Sequence, residues 1–127
     1  MIGSLKASLA AARGADAERR AEDFLRAKGL IAVTRNWRCK AGELDLVMRH
    51  DDTLVIVEVR ARQHAGYGGA AASVDHRKQA KLITAAQWFL QAHAEWANAP
   101  VRFDVVSFEA NGNCAWLPDA FDAGARA

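Results

Sequence analysis

Cysteine is scarce in this chain of 127 residues, with only Cys39 and Cys114, which form no CxxC pair. Nothing in their spacing asks for a disulfide, so two free thiols in a reducing cytoplasm are expected. Long hydrophobic runs are also missing. No stretch approaches the roughly 20 apolar residues of a membrane span, so no membrane partner is expected. Met1 to Ala12 carries Lys6 in its middle and mostly alanine as apolar content, which makes a poor signal peptide. No internal repeat or low-complexity segment is visible. Excess charge is lacking too, since a net charge of +2 is too small to prove a polyanionic partner.

What is present fits one soluble domain over residues 1–127, with residues 1–13 expected to be loose. A composition of 51% hydrophobic and 25% charged residues is ordinary for a globular chain. The charge is distributed unevenly. Residues 1–40 hold nine Lys/Arg against four Asp/Glu, and residues 41–59 hold one against five. Residues 60–81 hold five against one, and residues 82–127 hold two against five. An acidic centre between basic segments suits a polyanion held beside a cation. Solvated surface charge is the plainer alternative.

The acidic centre is two β-rich runs, Gly42 to Val47 and Val55 to Arg60, around the polar break His50-Asp51-Asp52-Thr53. A hairpin turning at Asp51-Asp52 pairs residues whose numbers add to 103. Val47 then faces Ile56, Asp45 faces Glu58 and Glu43 faces Arg60. Leu44, Leu46 and Met48 face Val59, Val57 and Val55 on an apolar side that must meet core. The other side becomes a candidate site. Directly opposed carboxylates repel, and a shared proton or a divalent cation relieves them. Their oxygens suit hard ions such as Mg²⁺ or Mn²⁺.

Around this hairpin the pattern predicts a helix over 4–28, with its ordered part starting near Asp16 and stopping at Gly29. Glu18 lies on the side of Ala21 and Leu25, either leaning to the core edge or serving as a first-turn acid. A strand over Leu30 to Arg38 follows. Arg62 to Ala72, with His64 and Tyr67, is a Gly/Ala-rich loop long enough to cover a site, or simply a connecting loop. A second helix over 74–96 has Ser73 or Asp75 as its cap and His76, Arg77, Lys78 and Lys81 near its start. Those cations favour a backbone phosphate, or simply face solvent. Val101 to Phe108 and Cys114 to Leu117 are further strands, joined by the turn signal Asn111-Gly112. Asp104 is expected to pair with Arg102 or a neighbouring strand. Asp119 to Ala127 reads as a tail anchored by Phe121. The whole predicts an α/β domain with a central mixed sheet of about five strands flanked by helices.

An acid on one strand, a second acid on the next and a cation two residues later suit metal-dependent phosphodiester cleavage. Alone that pattern is short. It is joined by Gly14-x-x-x-Glu18-x-x-Ala21, Gly29, Asn36-Trp37-Arg38, Gly42-Glu43-Leu44-Asp45-Leu46, Val57-Glu58-Val59-Arg60-x-Arg62, Lys78 with Lys81, Arg102-Phe103-Asp104-Val105-Val106 and Ala120-Phe121. In order and spacing these resemble the YraN family of small bacterial proteins, from Gly14 onward. The resemblance implies a restriction-endonuclease-like fold, similar to Holliday-junction resolvases. It implies Glu18, Asp45 and Glu58 as metal-facing acids, with Glu43 next to them.

The expected activity is Mg²⁺- or Mn²⁺-dependent cleavage of branched or single-stranded DNA. Asp45 and Glu58 would hold the ion, Glu18 would complete the site and Arg60 would contact the phosphate. Arg62, Arg77, Lys78 and Lys81 would hold the backbone. Nucleases of this class usually carry lysine where this chain has Arg60, and arginine cannot serve as a base. Nucleic-acid binding without cleavage is therefore the alternative. A third reading is an interaction domain in which Glu43–Arg60 is only an ion pair. Apolar strands and four tryptophans permit a homodimer.

Overall fold

Two helices cover opposite faces of one five-stranded mixed sheet in the computed structural model, which describes residues 2–61, 74–109 and 111–123, with side chains from Gly14 onward. The elements are α1 (Ile2–Ala27), β1 (Ile31–Cys39), β2 (Gly42–His50), β3 (Thr53–Ala61), α2 (His76–Ala92), a 3₁₀ turn (Ala94–Trp96), β4 (Val101–Phe108) and β5 (Cys114–Phe121). Their order matches the helix, three strands, helix, two strands of the sequence pattern. Sheet order follows chain order from β1 to β5. Only β3 and β4 run parallel, because α2 carries the chain back between them. Arg62 and the loop to Ser73 lie outside the described residues. No described helix is long and apolar enough to cross a membrane.

Helix α1 runs through Gly14 and Asp16 rather than starting there. The alanine-rich turns before Gly14 have strong helix propensity, which offsets the cost of one glycine. At its far end Gly29 takes φ +99, and the Leu30 N–H returns to the Leu25 carbonyl at 3.1 Å. Asp75 caps α2 by accepting from the Lys78 N–H at 2.8 Å.

The hairpin register is as expected. His50↔Thr53, Val47↔Ile56 and Leu46↔Val57 pair, all adding to 103. The faces differ from expectation. Leu46, Met48, Val55 and Val57 pack under Ala21 and Leu25 of α1. Val47, Leu54 and Ile56 pack under Leu82, Ala86 and Phe89 of α2. Both sides of the hairpin's middle are therefore core, because each helix buries one face. The polar residues gather at the strand ends instead.

Strand β5 is longer than its expected end at Leu117. It continues through Pro118, tolerated on an edge strand, to Phe121, whose ring stacks on Phe103 at 4.9 Å. A bulge between Phe103 and Val105 accommodates this. Asp104 sits in it fully buried, with Arg102 on both carboxylate oxygens at 2.9 and 3.1 Å, as the sequence suggested. The Trp116 Nε1–H and the Asp119 N–H also donate to it, at 3.0 and 2.9 Å.

Glu22, buried on α1, ties that helix to β1 by accepting two hydrogen bonds from Arg35. The Arg35 hydrogen bond holds the Glu22 carboxyl below its usual range. A depressed carboxyl contributes stability above its unfolded pKa and loses it as pH falls through the folded value. Arg35→Met should therefore cost about 1 kcal/mol in urea unfolding near pH 7, since the guanidinium is largely exposed. In acid below the folded pKa of Glu22 the two proteins should unfold at the same urea concentration.

Candidate active site

Beyond Leu46↔Val57 the ladder between β2 and β3 stops, while β2 stays paired to β1 as far as Cys39↔Gly42. The strands diverge there, and their acids enter the gap. Asp45 meets Glu58 in it, closely enough for the two carboxyls to share a hydrogen bond when one is protonated. The Val59 backbone N–H also donates to Asp45. Glu58 is only 4% exposed. Its Oε2 lies 3.3 Å from Arg60 Nε and 3.6 Å from Lys78 Nζ of α2. The Arg60 contact is an ion pair without hydrogen-bond alignment. Glu58 Oε1 and Arg60 Nε are buried and lack a hydrogen-bond partner, as does Ser107 Oγ. Ser107 is the residue paired with Arg60 in the parallel ladder.

The third acid comes from α1. A cleft of about 160 Å³ between α1 and the β1–β2 pair is lined by Glu18, Arg19, Glu22, Arg35, Asn36 and Asp45, among others. Burial raises the Glu18 carboxyl above its usual range, and the charges of Asp45 and Glu43 raise it further. Asp45 is raised by burial and by Glu43, against the pull of Lys78 and the Val59 N–H. Glu58 is pushed up to about 7, first by burial and then by the Asp45 charge. Three carboxyls held above their normal range are acids short of positive charge. A larger hollow lies under the β2–β3 turn, but its acids Asp51, Asp52 and Glu95 are all exposed.

The structure brings Asp45, Glu58, Arg60 and Lys78 together, with Glu18 and Glu43 close enough to act on Asp45 by charge. Arg77 and Lys81 are exposed on the same end of α2. Arg62 is outside the described residues. The expected Glu43–Arg60 pairing is corrected. The ladder ends before it, and Glu43 meets Arg38 on β1 at 3.5 Å. Lys78 was expected on the nucleic-acid backbone, yet its amine lies against Glu58. Its place one turn into α2, with the helix packed over β3, is what brings it there. Asn36 was read only as part of a motif, although it lines the cleft at φ +52. The one available signal was its residue type, since asparagine tolerates that conformation.

Among the described residues no three His, Cys, Asp or Glu side chains form a ready-made metal cluster. Mg²⁺ does not require one, because it commonly takes one or two carboxylates and fills its shell with water and substrate phosphates. Asp45 and Glu58 fit that kind of site, because Glu58 Oε1 is buried without a partner while Arg60 and Lys78 lie against its other oxygen.

The model of the family described as "Uncharacterised protein family UPF0102" matches residues 17–108. A UPF0102 protein of Pseudomonas savastanoi pv. phaseolicola is 55% identical over 114 residues, covering 87% of this chain and 93% of that one. The same description is carried by a Pseudomonas syringae pv. syringae protein with the same identity and coverage. A Pseudomonas fluorescens relative is 52% identical over 111 residues, covering 87% and 92%. The matched span contains Glu18, Asp45, Glu58, Arg60 and Lys78, and the relatives are matched over nearly their whole lengths, so the chain belongs to the UPF0102 (YraN) family.

Proposed function

We propose that this protein is a divalent-metal-dependent nuclease acting on branched or single-stranded DNA, on a restriction-endonuclease-like arrangement of its sheet. The observation that supports it is the pair of half-buried Asp45 and buried Glu58, with an unpartnered Glu58 oxygen and Arg60 and Lys78 alongside. Asp45 and Glu58 would hold Mg²⁺ or Mn²⁺, with Glu18 facing them from α1. The bound ion supplies positive charge against the scissile phosphate and acidifies water. Lys78 keeps the Glu58 carboxylate oriented. Arg60, whose side chain is partly exposed, would contact a phosphate oxygen and stabilise charge there, since its guanidinium stays protonated. Exposed Arg77 and Lys81, with Arg62, would hold the neighbouring backbone.

Manganese titration by calorimetry tests the site. Wild type should bind one ion, and Asp45→Ala should lose that heat. Nicking of branched and single-stranded DNA with Mn²⁺ then tests cleavage, and equal background rates for wild type and Asp45→Ala would sink it. Arg60, which cannot accept a proton, favours one second reading, a non-catalytic nucleic-acid-binding protein on the same fold. That reading expects DNA affinity to fall steeply with salt, as phosphate contacts release counterions. Affinity that is absent or indifferent to salt would count against it.

A further inference from the structure

Asn36 occupies a left-handed backbone conformation, φ +52, inside a β-strand. Asparagine and aspartate tolerate that region better than other side chains with a Cβ. By the register of β1 with β2 it stands across from Asp45, between the pairs Arg35↔Leu46 and Trp37↔Leu44. Residues two apart on a strand normally share a face. Here they do not. Arg35 reaches Glu22 of α1, whereas the Trp37 ring packs edge-on against Phe89 of α2 at 5.2 Å. Leu46 and Leu44 divide between the two cores in the same way. The left-handed residue reverses the pleat where the candidate site opens.

Its side chain lines the cleft. The amide nitrogen lies 3.0 Å from Glu18 Oε1 and 3.0 Å from Glu43 Oε1. Carboxylates only accept hydrogen bonds, so the NH₂ group and not the amide oxygen faces them. One amide thus spends its two hydrogens on two acids from different elements, α1 and β2. Both acids carry charge that repels Asp45, and Arg38 also holds Glu43, at 3.5 Å.

We propose that Asn36 is a positioning residue that clamps Glu18 to Glu43 and thereby aims Glu18 at the ion held by Asp45 and Glu58. The aiming rests on the metal-dependent reading above; the clamp itself does not. Backbone and amide roles separate cleanly. Asn36→Gly keeps the left-handed conformation at no steric cost and removes the side-chain donor; the entropy it adds to the unfolded chain is the same in both backgrounds and cancels in a double-mutant cycle. Asn36→Asp keeps shape and tolerance of that conformation but replaces the donor with another acceptor.

Two measurements decide it. In thermal unfolding, Asn36→Gly should lower Tm by about 2 °C. In a Glu18→Ala background that loss should be at least halved, because the partner is gone. Equal losses in both backgrounds overturn the clamp, as does an Asn36→Asp protein melting at or above wild type. In manganese titration, Asn36→Gly should raise Kd about tenfold, the usual effect of losing a group that orients a metal ligand. An unchanged Kd overturns the aiming of Glu18. A wild type that binds no Mn²⁺ overturns both the aiming and the nuclease reading, while the unfolding cycle still decides the clamp.

Discussion

Glu58→Gln should produce a protein that is more stable than wild type at pH 8 and, on the proposed nuclease reading, at least 100-fold slower in Mn²⁺-dependent nicking. Burial is the largest cause pushing the Glu58 carboxyl to about 7, and Asp45 adds to it, while Lys78 and Arg60 only partly compensate. The folded-state pKa is therefore above the unfolded value of a glutamate. Between those values the folded protein holds a proton that the unfolded chain has released. Stability must then fall as pH rises from about 4.5 through 7, and level off above. The size of that loss is on the order of 3 kcal/mol. Glutamine has the same shape, stays neutral and removes the pH-dependent part that Glu58 itself contributes. Below pH 4.5 the variant and wild type should unfold together, and the gap should open as pH rises. Millimolar Mn²⁺ should raise the wild-type Tm and leave the variant unmoved, since only a state that binds the ion is stabilised by it. A variant less stable than wild type at pH 8 would mean that Arg60 and Lys78 fully compensate the carboxylate.

Asp104→Ala should cost about 3–5 kcal/mol in urea unfolding, the range for removing one partner of a buried charge pair. The carboxylate has no solvent exposure and takes hydrogen bonds on both oxygens. Its removal strands three donors: the Arg102 guanidinium, the Trp116 indole N–H and the Asp119 N–H. Arg102 also donates toward His50 Nδ1 at 3.1 Å, so the β2–β3 turn loses an anchor as well. Asp104→Asn is nearly isosteric but turns a donor toward these donors, and should recover little of the loss. Amide exchange should show where the damage lies. Protection at Asp119 to Phe121 should drop first, because the Asp119 N–H bond to Asp104 holds β5 in register past Pro118. Asn substitution at less than about 1 kcal/mol would show that charge at this position matters little.

Legibility differed between parts of the chain for physical reasons. The hairpin register could be read because a two-residue turn and a side-chain period of two are local properties. Gly29 and Asp75 could be placed because helix ends need particular residue types. The start of α1 could not, because a continuous alanine-rich run has no boundary of its own. The two-sided burial of the hairpin was missed, since alternation of Asp45, Val47 and Ile56 looks like one polar face until a second helix covers its middle. Glu43 was assigned to Arg60 by extending a ladder that ends at Leu46.

Residue patterns alone were enough for the element order, the α/β class, the Asp51-Asp52 turn and the nearness of Asp45 to Glu58. All of these follow from patterns within a few residues or from one short loop. Tertiary structure decided the rest. It placed Glu18 of α1 and Lys78 of α2 at the same strand end, buried Glu58 beside a second carboxyl, and split Leu44 from Leu46 between two cores. Burial and carboxyl–carboxyl repulsion depend on which layers close over a residue, and that closure is set by packing across the whole sheet rather than by neighbours in the chain.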